Sequence, residues 1–123
     1  MNLTVAHVLA LLAILLTVLS LNVSRLRLKY KVSYGDEGHR DLMVAIRAHG
    51  NALEQCLLFA VLMLALESQS AGGAARLAWL GPIFLLARVL HPVAMVRRWL
   101  RLRQLAHVTS LLAQLTAAWA LLR

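Results

Sequence analysis

Residues Leu3–Val23 read LTVAHVLALLAILLTVLSLNV, and this stretch decides the fold class. It is an apolar run of 21 residues whose strongly polar interruptions are His7 and Asn22. A helix needs about 20 such residues to cross a hydrocarbon layer of about 30 Å. The run lacks a basic leading segment, exceeds the apolar length of a secretory leader and precedes no small-residue cleavage site. It is therefore expected to stay in place as an anchor helix. Working outward, comparable runs recur at Leu42–Leu66, Leu77–Val96 and Gln104–Leu122, which gives expected spans 3–23, 42–66, 77–96 and 104–122. The fold class they predict is an all-α membrane protein, a single four-transmembrane-helix bundle.

Composition supports the same class. Of 123 residues, 61% are hydrophobic, against roughly 45–50% in a soluble domain. A soluble globule of this size buries only roughly 60–70% of its surface and has too little interior for so much apolar material. The lone Cys56 excludes a disulfide scaffold, and the apolar content excludes a disordered chain.

The net charge of +8 reflects 13 Lys and Arg against 5 Asp and Glu. On a soluble protein this balance suggests nucleic acid, but the distribution of the charges argues against that partner. The connectors after the first and third runs hold nine basic residues: Arg25, Arg27, Lys29, Lys31, Arg40, Arg97, Arg98, Arg101 and Arg103. The opposite side holds Arg76 and Arg123. This asymmetry places the basic connectors in the cytoplasm and both termini outside it; their charges read first as topology signals and second as binders of anionic lipid or substrate. Trp79, Trp99 and Trp119 fall near span ends, where an aromatic belt forms. Turn signals lie at Gly35-Asp36-Glu37-Gly38, within a connector expected over Ser24–Asp41, and at Gly72-Gly73, within a loop expected over Glu67–Gly73.

Function is sought in the polar exceptions, because an ionisable group inside a span costs about 2.5–3.5 kcal/mol on insertion scales. On the second helix Arg47, Asn51 and Glu54 lie at about 0°, 40° and −20°, one polar stripe that should face a protein interior or a wet cavity. Arg88 and His91 lie one turn apart on the third helix, and Arg103, His107, Ser110 and Gln114 share a face of the fourth. Counting 1.5 Å per residue puts Glu54 roughly 18 Å and Arg88 roughly 14 Å from the cytoplasmic side. A buried Glu54–Arg88 ion pair is therefore expected, since neither charge is stable alone at that depth. Arg47 and His91 lie at roughly 7 and 9 Å by the same rise, with Arg25 and Arg103 at the interface. Together these residues outline a cationic pocket open to the cytoplasm and capped by Asn51 and Glu54. It suits a small, multiply anionic ligand that also carries an ammonium. The competing reading is that these polar residues simply hold the helices together.

The segment Arg47-Ala48-His49-Gly50-Asn51-Ala52-Leu53-Glu54, with Phe59 beyond it, closely resembles the signature of the membrane-associated proteins in eicosanoid and glutathione metabolism. Arg25-Leu26-Arg27, Arg88-Val89-Leu90-His91 and Arg103 resemble that family too, and Gly35-Asp36-Glu37-Gly38-His39 looks like its short bacterial branch. The resemblance implies a homotrimer in a bacterial inner membrane, with glutathione as co-substrate bound between neighbouring subunits. It implies glutathione transferase or peroxidase activity on lipophilic small molecules that arrive from the lipid bilayer. Carried over residue by residue, Arg25, Arg47, Asn51, Glu54 and His91 would hold glutathione, and Arg103 would sit beside its sulfur as the catalytic residue.

The chain departs from the family pattern at several positions. Met95 stands where members often carry a tyrosine, His107 replaces an aromatic hydroxyl, Leu57 and Leu58 stand in place of a proline, and Gly50 replaces an arginine found in some members. The glutathione-holding half is thus kept better than the chemistry half. Two alternatives follow: a non-catalytic trimer that binds thiol or lipid, and a small four-span transporter. The transporter is disfavoured because the first helix carries no acid. Cys56 reads as a packing residue, His7 as interfacial and His39 as solvated, and no His, Cys or carboxylate spacing suggests a metal.

Overall fold

The computed structural model describes residues 4–69 and 78–123. Within them lie four helices, α1 (Val5–Tyr30), α2 (Arg40–Gln69), α3 (Leu80–Arg97) and α4 (Leu100–Leu121). The expected positions of Leu3, Gly72-Gly73, Arg76 and Leu77 lie outside the described residues.

The helices overrun the connectors expected of them. Helix α1 starts at Thr4, whose hydroxyl accepts the His7 N–H, and continues through Arg25, Arg27 and Lys29. It ends only at Lys31, in the left-handed region at φ 56°, ψ 39°. The free connector is thus confined to Lys31–His39, not Ser24–Asp41. Arg, Leu and Lys are good helix formers, and Leu26 is buried against Val32, Leu42 and Ala45, so packing reinforces propensity. The remaining turn needs positive φ at Gly35 (61°) and Gly38 (82°), and the Asp36 carboxylate accepts the Gly38 N–H at 2.9 Å. Glu67–Gln69 are still helical, a correction to the loop expected there. Between α3 and α4 only Arg98 and Trp99 are non-helical. Arg98 sits at φ 60°, ψ 29°, with its N–H shared between the Ala94 and Met95 carbonyls. Helix α4 therefore begins four residues before Gln104, and Arg101 and Arg103 ride on its first turn.

Helix α2 is the hub: it packs on α1, α3 and α4, while α3 and α4 form the most extensive pair. One end of the bundle is an apolar core that includes Val8, Leu12, Phe59, Met63, Phe84 and Ala117. There the Phe59 and Phe84 rings stack at 3.9 Å. Gly81 lets α1 approach α3, since a Cβ at Gly81 would lie 2.7 Å from Val8 Cγ2. Val8 is β-branched and buried, so it has little freedom to move aside. Gly81→Ala is expected to lower stability by about 1–3 kcal/mol, which thermal unfolding in detergent would report.

Outward, every helix exposes large aliphatic groups. Ile14, Leu57, Leu86 and Leu115 are 59%, 62%, 60% and 66% exposed. Such a surface suits lipid rather than water. Helices α1, α2 and α3 are long and apolar enough to cross a membrane. Helix α4, at 22 residues, reaches about 33 Å but carries Arg101, Arg103, Gln104, His107 and Gln114. The result is an all-α membrane bundle.

Candidate functional site

Below the apolar core lies a polar layer. Arg88 is 0% exposed. Its Nη1 donates to Asn51 Oδ1 at 3.0 Å and its Nη2 to the Ala106 carbonyl at 3.3 Å, which ties α3 to both α2 and α4. The Phe84 ring lies 5.7 Å from the guanidinium. Ser110 also donates to the Ala106 carbonyl, at 2.9 Å, and Gln114 Nε2 donates to the Gln55 carbonyl at 3.0 Å. His91 and His107 face each other with ring centroids 6.1 Å apart.

The Glu54–Arg88 pair expected from depth is not formed. Arg88 turns inward to neutral acceptors, whereas Glu54 is exposed on α2. Sharing a depth does not make two residues share a direction. Arg47 and Glu54 lie on the flank of α2 that this chain leaves open, and Asn51 marks its border with the interior.

At the basic end two cavities adjoin. The smaller, of about 280 Å³, is lined by Arg40 and Arg47 of α2, Arg98 of the corner and Arg103 of α4, with Met43, Val44, Ala94, Met95 and Leu100 as apolar walls. No carboxylate is among these lining residues. The wider, of about 750 Å³, takes Arg25, Asn22 and Tyr30 from α1 and shares Arg40, Val44, Met95 and Arg98 with the first. Its rim is fixed by a small cluster. The Tyr30 hydroxyl donates to Asp41 Oδ2 at 2.6 Å, and His39 stacks on the Tyr30 ring at 3.8 Å. The Tyr30 hydrogen bond holds the Asp41 carboxyl below the usual carboxylate range.

Of the residues expected to form the site, Arg47 and Arg103 line one cavity and Arg25 lines its neighbour. Asn51 accepts from Arg88, His91 is 6% exposed inside the bundle, and Glu54 lies on the outer face of α2. None of these three lines either cavity. Arg40 and Arg98 line both, although the sequence offered them first as topology charges and only second as binders of anionic lipid or substrate. His39, expected to be solvated, is half-buried against Tyr30. Cys56 is buried as a packing residue.

The MAPEG family model matches residues 5–123, almost the whole chain. The chain belongs to the MAPEG family. Among relatives, the inner membrane protein YecN of Escherichia coli K12 is 38% identical over 96 residues, which cover 75% of this chain and 70% of that protein. YecN of Escherichia coli O6:H1 strain CFT073 matches equally. No solved structure matches the chain. As a MAPEG protein the chain is a helical membrane bundle, in keeping with its apolar exterior and four helices.

Proposed function

We propose that this MAPEG protein is a multi-pass inner membrane protein that binds glutathione at its basic, cytoplasmic end. There it conjugates glutathione to lipophilic electrophiles or uses it to reduce them. The observation that carries this reading is the convergence of Arg40, Arg47, Arg98 and Arg103 on one cavity without a lining carboxylate. Glutathione has two carboxylates, and guanidinium groups bind carboxylates through paired, charge-assisted hydrogen bonds.

The roles divide by position. Arg47 and Arg25 take the carboxylates, and Arg103 sits beside the sulfur. Glu54, on the open flank of α2, meets the ammonium. Asn51 gives its oxygen to Arg88, which leaves its amide N–H groups free to donate to the ligand. An exposed glutamate and arginine on a helix meant for lipid are costly. They favour completion of this flank, with His91 behind it, by another copy in a homotrimer.

A free thiol has pKa near 8.5 and is mostly protonated at neutral pH. A guanidinium beside the sulfur favours the thiolate, which is the nucleophile. In conjugation the sulfur forms a bond to the electrophilic carbon, and the leaving group departs with its electron pair. The thiol proton is lost to solvent. The electrophile enters from the bilayer, past walls of Met95 and Val44.

Glutathione at a hundredfold excess over its Kd is expected to stabilise the purified protein by about 2.7 kcal/mol. A rise in Tm and conjugation of a chlorinated nitrobenzene together would support the enzyme. No response to glutathione in either assay would overturn the reading. A second reading, a thiol-binding member without turnover, is favoured by Met95. It lines both cavities where MAPEG enzymes often present a tyrosine. This reading predicts the Tm rise without the conjugation.

A further inference from the structure

The wider cavity has features that a tripeptide thiol does not require. Its lining combines the cationic side chains of Arg25, Arg40 and Arg98 with the apolar side chains of Leu26, Ala45 and Val96. Leu26 and Ala45 are buried, whereas Val96 is 67% exposed on the outer surface. Cationic and apolar side chains thus line one cavity, and Val96 carries that lining to the outer, lipid-facing surface.

Its lone carboxylate, Asp41, has both oxygens engaged, one by the Tyr30 hydroxyl and the other by the Leu42 N–H. Arg25 gives one nitrogen to Asn22 Oδ1 at 2.8 Å and keeps its remaining donors. The guanidinium groups of Arg40 and Arg98, which line the cavity, donate to no acceptor among the described residues. Three cations with free N–H groups therefore face one satisfied anion, and guanidinium matches phosphate oxygens in pairs. Basic pockets between helices at the cytoplasmic face are the usual seats of anionic headgroups.

We propose that this cavity holds an anionic phospholipid. Its phosphate is gripped by Arg40 and Arg98, and its acyl chains leave past Val96. The site adjoins the thiol cavity and shares Arg40, Val44, Met95 and Arg98 with it.

The test is native mass spectrometry of the full chain released from bilayer discs of equimolar phosphatidylglycerol and phosphatidylcholine. Phosphatidylglycerol should be retained with roughly tenfold preference or more, and millimolar inorganic phosphate should not displace it. At about one kcal/mol per basic residue near the surface, Arg40→Gln and Arg98→Gly should each lower the preference about fivefold. Arg98→Gly keeps the fold, because glycine suits the left-handed corner at φ 60°. Arg101→Gln, on the same end but outside the cavity lining, should leave the preference unchanged. Three results would overturn the proposal: no preference in the unsubstituted protein, equal loss in Arg101→Gln, or displacement by inorganic phosphate. Arg40 and Arg98 line both cavities, so glutathione binding is followed by Tm in the unsubstituted protein and in Arg101→Gln, where it reports separately on the thiol site.

Discussion

Arg88→Ala is expected to lower stability by about 3 kcal/mol or more, whereas Glu54→Gln should change it by less than about 0.5 kcal/mol. Arg88 is fully buried and bridges α3 to α2 and α4 through Asn51 and Ala106. Alanine would leave a void between three helices and strip Asn51 Oδ1 of its donor. The Ala106 carbonyl would still hold Ser110. Glu54 is exposed, so removing its charge breaks no contact inside the bundle. Arg88→Met separates the contributions: it restores volume but not the Asn51 hydrogen bond, and should fall between alanine and the unsubstituted protein. Chemical or thermal unfolding in detergent decides. Strong destabilisation by Glu54→Gln, with Arg88→Ala tolerated, would reinstate the pairing inferred from depth alone.

That contrast shows where the sequence was legible. The fold class followed from the excess of apolar residues over what a small interior can hold, and the exposed Ile14, Leu57, Leu86 and Leu115 bear it out. Helix ends were less legible. The basic connectors are built from Leu, Arg and Lys, which extend a helix as readily as they end it, so Arg27 and Arg103 proved helical. The 3.6 periodicity put Arg47, Asn51 and Glu54 on one stripe but could not say which neighbour each would meet: Asn51 accepts from Arg88, whereas Glu54 is exposed. Azimuth between helices depends on packing partners, and Gly81 against Val8 is one such partner choice. The contribution of Arg40 and Arg98 was hidden for a similar reason. It depends on the left-handed corner at Arg98 and on the turn that lays His39 over Tyr30. Neither signal is periodic.

The largest functional effect is expected from Arg103→Ala: a fall of about 10²–10³ in kcat with little change in glutathione affinity. The carboxylates of glutathione would keep Arg25 and Arg47, so binding would survive. What would be lost is the cation nearest the sulfur. The consequence has a definite pH signature. With Arg103 present the bound thiol ionises below its free value near 8.5, and thiolate absorbance should already be strong at neutral pH. In Arg103→Ala the absorbance should appear only as pH rises toward 8.5, so the deficit in rate should narrow with increasing pH. Arg103→Lys, which keeps a positive charge without the planar fork, should recover part of the thiolate signal. If glutathione affinity and turnover fell together by the same factor, Arg103 would be a carboxylate clamp like its neighbours. The thiolate would then need another stabiliser, and among the residues lining that cavity only Arg40, Arg47 and Arg98 carry the charge to supply it.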